Sequence, residues 1–273
     1  MGQVFEMALS PDGKRLAARI RDHASNEDIW IYDTARGIPS RFTFDPAFDR
    51  YPVWSADGST IYFASDRRGS YDLFRKASSG ASGEELLLVD SIGNKRPESV
   101  SPDGKLLLYT AQDAKTLTDL WVLPLAQAQP GGKAEPRVFL RTPFNESWGQ
   151  FSPDGHWVAY ESDESGQNEV YVAPFPGPGG KFQISSGGAG FGLRWRRDGK
   201  ELFYLTADRQ LMAAEVAIGN GTLEVKRVQK LLGGVNTGYD VSSDGQKFVV
   251  PDDSIASSPP LTLLQNWPTA LRK

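Results

Sequence analysis

Short apolar runs rich in β-branched and aromatic residues alternate with clusters of Asp, Gly, Ser and Pro, the pattern of strands separated by tight turns. The stretch from Tyr51 shows the unit. Tyr51-Pro52-Val53-Trp54 reads as a short strand, Ser55-Ala56-Asp57-Gly58 turns it, and Thr60-Ile61-Tyr62-Phe63-Ala64 returns. Asp66-Arg67-Arg68-Gly69-Ser70 makes a second polar turn before Tyr71-Asp72-Leu73-Phe74-Arg75, and Glu85-Leu86-Leu87-Leu88-Val89 forms an outer strand. Equivalent third strands are Asp28-Ile29-Trp30-Ile31-Tyr32, Asp119-Leu120-Trp121-Val122, Glu169-Val170-Tyr171-Val172 and Gln210-Leu211-Met212-Ala213. Equivalent outer strands are Arg41-Phe42-Thr43-Phe44, Arg137-Val138-Phe139-Leu140, Phe182-Gln183-Ile184 and Val225-Lys226-Arg227-Val228.

The first turn of each unit repeats. Ser10-Pro11-Asp12-Gly13 is echoed at Ser55-Ala56-Asp57-Gly58, Ser101-Pro102-Asp103-Gly104, Ser152-Pro153-Asp154-Gly155, Arg196-Arg197-Asp198-Gly199 and Ser242-Ser243-Asp244-Gly245. The turn glycines at 13, 58, 104, 155, 199 and 245 are separated by 45, 46, 51, 44 and 46 residues. A period in the forties with four strand-like runs in each predicts an all-β, six-bladed β-propeller of four-stranded antiparallel blades, filling residues 1–273 as one domain. The repeats run over about 5–45, 51–90, 96–141, 147–186, 191–231 and 238–267. The long step is assigned to the insertion around Gln129-Pro130-Gly131-Gly132-Lys133. The sixth repeat lacks an evident fourth strand, so an incomplete last blade is expected, with an open edge available for self-association and the chain forming the C-terminal part of something longer. Pro presets the turn backbone, Asp suits the third position and Gly accepts the left-handed conformation after it, so six copies of Asp-Gly read as structural rather than catalytic.

Composition narrows the function without naming it. The 30 Lys+Arg against 34 Asp+Glu give a net charge of −4, which argues against nucleic-acid binding. Lys226, Arg227 and Lys230 read as the wet side of an outer strand. There is no Cys, so thiol nucleophiles, disulfides and cysteine-bound zinc are excluded. No apolar run approaches the roughly 20 residues of a membrane-crossing helix, and no membrane insertion is expected.

The Ser-Pro-Asp-Gly turn followed by an aliphatic-aromatic strand, a polar turn and Asp-[Ile/Leu]-aromatic resembles the repeats of TolB-like propellers, which also occur in the propeller domains of prolyl-oligopeptidase-type peptidases. Phe182-Gln183-Ile184-Ser185, the run Leu193-Arg194-Trp195-Arg196-Arg197-Asp198-Gly199, Tyr239-Asp240-Val241-Ser242 and the ending Pro260-Leu261-Thr262-Leu263-Leu264-Gln265-Asn266-Trp267 resemble the C-terminal propeller of bacterial membrane-anchored serine/threonine kinases. That resemblance implies a sensor or binding module outside the cytoplasm, with a protein, peptide or glycan ligand. No glycine-rich nucleotide loop, His-Arg-Asp or Asp-Phe-Gly accompanies it.

Searches for chemistry find no G-x-S-x-G elbow, no phosphate-binding loop and no H-E-x-x-H. His23 and His156 fall at opposite ends of their strands and cannot share a metal. Residues at or just before the innermost strands, on the face of a propeller that opens into the funnel, are the ligand-binding candidates: Arg50, Tyr51, Lys95, Arg96, Glu146, Trp148, Phe191, Asn236 and Tyr239. Cations for orientation and flat rings for stacking suit a polar ligand. A second set pairs Asp22, Asp66, Asp113 and Asp163, closing second strands, with Asp28, Asp72, Asp119 and Glu169, opening third strands. Such oxygens suit Ca2+ or another divalent cation, but their repetition favours bonding to turn amides, so no cofactor is expected. Two readings stay open: a non-catalytic binding propeller, and a metal-assisted hydrolase or lyase with its site in the central funnel.

Overall fold

The structure is a computed structural model that describes residues 3–88, 93–126, 135–177, 179–189, 191–219, 221–235 and 238–251 and the backbone of 261–265. The insertion around Gln129–Lys133 lies outside the described residues.

Five blades are complete four-stranded sheets in sequence order. The first contains β1 (Gln3–Leu9), β2 (Arg15–Arg21), β3 (Glu27–Asp33) and β4 (Pro39–Arg41); the second β5 (Asp49–Trp54), β6 (Thr60–Ser65), β7 (Asp72–Ala77) and β8 (Glu85–Leu86). The third contains β9 (Lys95–Val100), β10 (Leu106–Asp113), β11 (Leu117–Pro124) and β12 (Arg137–Leu140); the fourth β13 (Glu146–Phe151), β14 (Trp157–Ser162), β15 (Glu169–Pro174) and β16 (Phe182–Gln183). The fifth contains β17 (Arg194–Trp195), β18 (Glu201–Leu205), β19 (Gln210–Gly219) and β20 (Thr222–Gly233). The remaining strands, β21 (Asp240–Val241), β22 (Lys247–Pro251) and β23 (Leu261–Gln265), make a three-stranded sheet.

The expected six-bladed propeller is therefore corrected to five four-stranded blades, with the last repeat forming only a three-stranded closing sheet. The reason is physical. An Asp-Gly turn marks the hairpin between first and second strands, so counting turns counts hairpins and not completed blades.

The middle strands bury both faces, which is why they read as continuous apolar runs. Ile61 and Phe63 pack toward the first blade while Tyr62, between them, packs toward the third. Trp157 and Ala159 likewise face the fifth blade, and Val158 and Tyr160 the third. The core is thus a series of clusters in the clefts between neighbouring sheets.

The repeated turn has one hydrogen-bond scheme. Ser10 Oγ donates to Asp12 Oδ1 (2.6 Å), the Lys14 amide donates to the same oxygen (3.1 Å), and the Arg15 amide donates back to Ser10 Oγ (2.9 Å). The scheme recurs at Ser55/Asp57, Ser101/Asp103, Ser152/Asp154 and Ser242/Asp244. In the fifth blade Arg196 replaces serine and donates Nε to Asp198 Oδ1 (2.8 Å).

Further hydrogen bonds stitch several inner strands to the preceding one. Trp54 Nε1 donates to the Ala8 carbonyl (2.8 Å) and Trp195 Nε1 to the Gln150 carbonyl (3.3 Å), while the Phe151 amide donates to Ser99 Oγ (3.1 Å). The ring closes by the same device: the Leu9 amide donates to Asp240 Oδ2 (2.5 Å), so β1 docks on the closing sheet through a side chain. Among the described residues β1 pairs with β2 and not with the closing sheet.

Candidate functional site

The inner strands β1, β5, β9, β13, β17 and β21 surround a central channel whose two ends differ. At the end bearing the Asp-Gly turns, a cavity of about 530 Å³ is lined by Ala8, Val53, Ser99, Gln150, Arg194 and Asp240, each five residues before its turn glycine. Polar groups there are mutually satisfied. Arg194 Nε donates to Asp240 Oδ1 (2.6 Å) and Arg194 Nη1 to the Leu193 carbonyl (2.8 Å). The cavity reaches Glu98, whose backbone oxygen accepts Gln150 Nε2 (2.9 Å) and whose carboxylate accepts Thr110 Oγ1.

Glu98 also accepts Arg96 Nε (2.8 Å) and Nη2 (2.6 Å), which links this cavity to the opposite mouth. There the inner strands bulge. The β5–β6 register shifts between Arg50 and Val53, and the β13–β14 register between Ser147 and Gln150. Each bulge holds an aromatic residue in the left-handed region, Tyr51 at φ 57° and Trp148 at φ 56°. Both lie seven residues before their turn glycines, and the equivalent positions in the last two repeats are Gly192 (φ 77°) and Gly238 (φ 128°).

The bulges bring four of the nine sequence candidates together, and a fifth, Arg50, lies next to Tyr51 in the chain with partners of its own. The Arg96 guanidinium lies over the Tyr51 ring (5.2 Å) and the Trp148 ring (4.2 Å), and Trp148 packs on Phe191 (5.7 Å between centroids). Arg50 lies over Phe48 (5.3 Å) and Tyr71 (5.1 Å) and donates Nε to Glu27.

Three candidates go elsewhere. Lys95 is buried, with Nζ donating to Asp72 Oδ1 (3.0 Å) of the second blade. Glu146 is buried and accepts Thr142 Oγ1; burial, with Asp119 and Asp163 nearby, pushes its carboxyl up to about 7. Tyr239 is buried among Phe203, Val235 and Phe248, and burial pushes its phenol well above the usual range. Asn236 lies outside the described residues.

The second acidic set divides between turns and blade seams. Asp22 accepts the Ala24 and Asn26 amides, Asp66 the Phe48 amide, Asp113 the Lys115 amide and Asp163 the Asn145 amide. Asp28 pairs with Arg41 (2.6 Å), Asp119 with Arg141 (3.1 Å), Asp72 with Lys95, and Glu169 accepts the Gly188 amide (2.8 Å). No three His, Asp or Glu side chains converge as metal ligands among the described residues. His23 and His156 are exposed turn residues.

Sequence reasoning missed the carboxylates and two arginines of the mouth, Arg19 and Arg21. Glu27, 1% exposed, accepts Arg21 Nε (2.7 Å) and Arg19 Nη1 (3.1 Å) besides Arg50. Arg19 Nε stands 2.6 Å from Glu6 Oε2. Burial raises the Glu6 carboxyl against the pull of Arg19, Arg96 and Arg50, and pushes Glu161, facing Arg96 and Ser147, up to about 8. Gln150, Arg194 and Asp240 were legible in principle, because they share one fixed distance from the turn glycine.

Comparison with known proteins agrees with this architecture. Residues 1–129 match the family described as the TolB beta propeller domain, PD40. The chain is a β-propeller, and its residues 1–129 are similar to TolB-type propellers. It is similar to the Tol-Pal system protein TolB of Wolinella succinogenes, 25% identical over 190 residues, covering 67% of this chain and 44% of that protein. It is 32% identical over 159 residues to the uncharacterized protein Atu1656 of Agrobacterium fabrum, covering 55% of this chain and 52% of that protein. The chain thus spans about half the length, or less, of these two relatives. The crystal structure of TolB from Acinetobacter baumannii superposes with a TM-score of 0.69 at 19% identity, over 94% of this chain and 62% of that one, a likeness of fold.

Proposed function

We propose that this TolB-like propeller is a non-catalytic binding module whose bulged channel mouth receives a segment of a protein or peptide, and that it serves as the recognition part of a longer protein. The observation that carries the reading is the backbone at Tyr51 and Trp148. A bulky residue at positive φ costs on the order of 1 kcal/mol or more, and such residues persist where the surrounding structure has a use for them. Glycine occupies the same position in two other repeats, so the strain is avoidable in this fold. What the two aromatics add is a layered surface with Arg96 and Phe191, charged at one point and apolar around it, which suits a polypeptide side chain and its backbone.

The test is selection of a random heptapeptide library on the immobilised chain, followed by calorimetry of the enriched peptides. Enriched peptides should bind the parent chain and lose about ten-fold or more in affinity with Trp148→Ala. A library that yields nothing above background, or peptides indifferent to Trp148→Ala, sinks the reading.

A further inference from the structure

Around Glu27, on the first-blade side of the bulged mouth, guanidinium outnumbers carboxylate. Arg19, Arg21 and Arg50 all converge on Glu27, and Glu6 is the one further carboxylate paired to any of them among the described residues. Three cations therefore face two acids, in a chain whose net charge is −4. Donors are also left over. Arg50 gives Glu27 only its Nε, so both its Nη groups lack an acceptor among the described residues, and its side chain is 21% exposed. Arg21 gives Glu27 its Nε and Nη2, leaves Nη1, and is 44% exposed. A guanidinium held by one edge presents its other edge as a paired donor fork, the geometry a carboxylate matches with two parallel bonds.

We propose that Arg50 and Arg21, braced from behind by Glu27, form a carboxylate-binding centre, and that the peptide received at this mouth is acidic. The inference rests on the binding reading above and adds the chemistry of the ligand. Glu27 acts as the anvil: it fixes the two forks, and Arg19 beneath holds it in place. Phe5 under Arg21 (5.0 Å) and Tyr71 under Arg50 (5.1 Å) cover the flat faces of the guanidiniums and leave their edges to the ligand.

Two rival anions fit less well. A long polyphosphate chain would meet a small local surplus and then the acidic remainder of the protein, whose repulsion acts over about 8 Å at physiological salt. An acidic sugar would stack its ring on an open aromatic face, whereas Arg96 covers Tyr51 and Trp148, and Phe191 covers Trp148 further. The ring edges that remain suit aliphatic and aromatic side chains beside a carboxylate.

The peptides enriched in the library selection provide the test. They should be rich in Asp and Glu. A capped acidic peptide should bind the intact chain about ten-fold or more tighter than its Asn/Gln twin, with the gap shrinking between about 50 mM and about 500 mM NaCl. Arg50→Gln should erase that gap without unfolding the chain, since Glu27 keeps Arg19 and Arg21. Arg21→Gln, at a more exposed position, should halve the gap in free energy, and Arg50→Lys should restore part of it. Neutral or basic enriched peptides, or equal binding of the acidic peptide and its amide twin, overturn the acidic specificity while the binding module stands. A chain that binds a uronic acid trimer and no peptide overturns the peptide assignment, and one that binds none of these probes overturns both.

Discussion

Gly192 and Gly238 show what the backbone favours at the position Tyr51 and Trp148 occupy, and this makes the strain measurable. In most sites Ala is more stable than Gly, because Gly has more freedom to lose on folding; at positive φ the order inverts by roughly 1 kcal/mol. Trp148→Gly and Trp148→Ala both remove the contacts to Arg96 and Phe191, so their difference isolates the backbone. Denaturant unfolding should find the glycine variant about 1 kcal/mol the more stable of the two, and the same at Tyr51. An alanine variant equal to or better than glycine would mean that the bulge is not left-handed there. The residue scale is also where the sequence was hardest to read. Arg96, Tyr51 and Trp148 could be picked out as charged or aromatic residues opening inner strands. Lys95, Glu146 and Tyr239 could not be separated from them, because a bulge resets the alternation by which one strand position faces the channel and the next faces a neighbouring sheet. Glu27 and Glu161 gave no signal at all: an acid at a strand end looks like a solvated residue until a third guanidinium or a neighbouring sheet is seen to cover it.

Acids at the ends of strands divide into two groups with opposite consequences for stability. Hydrogen bonds from Ser55 and from Ser59 hold Asp57 down to about 2, and the same donors lower Asp12, Asp103 and Asp244. These turn carboxylates stabilise the folded chain above their unfolded pKa near 4 and lose that effect as pH falls toward 2. Burial acts the other way on Asp49, opening β5, on Glu146, opening β13, and on Glu161 in β14, pushing them up to about 6, 7 and 8. Ser65, Arg67 and Thr43 oppose the rise at Asp49, Thr142 opposes it at Glu146, and Arg96, Ser147 and Asn168 oppose it at Glu161. In this second group the folded state holds protons that the unfolded chain has released, so stability falls as pH rises from about 4 through 8. The two trends together put maximum stability near pH 4–5. Urea unfolding across that range should show a decline toward pH 8 that Glu161→Gln and Glu146→Gln flatten, each adding about 1–3 kcal/mol at pH 8 and little at pH 5. A variant series that shifts all pH values equally would place the effect in packing instead of ionisation.

At the scale of the whole ring, the period of the Asp-Gly turns carried the architecture, because each turn must join a first strand to a second and every sheet begins with that hairpin. It did not carry completion: the last repeat keeps its turn, at Ser242–Gly245, yet among the described residues it contributes a two-residue inner strand and two partners instead of three. Among the described residues the polar bonds across the seam between this sheet and β1 run through side chains. Asp240 accepts the Leu9 amide with one oxygen and Arg194 with the other, and Arg194 Nη2 reaches the Met7 carbonyl (3.3 Å). At the seam between the third and fourth blades the corresponding stitch is Ser99 to the Phe151 amide, backed by complete sheets on either side. Ser99→Ala should cost about 1 kcal/mol, the worth of one hydrogen bond, and leave the order of unfolding unchanged. Asp240→Ala removes the acceptor of Leu9 and the counter-charge of Arg194 together and should cost about 3 kcal/mol. Its loss should also be local. Amide exchange at Met7, Leu9 and Val241 should accelerate well before that of β10 or β14, because the Asp240 carboxylate bonds both to β1 and to the Arg194 that reaches Met7. Asp240→Asn, which keeps an acceptor for Leu9, should retain most of that protection. If exchange in Asp240→Ala rises evenly through all the sheets, the ring is held shut by apolar packing between β1 and the closing sheet, and the carboxylate is incidental to closure.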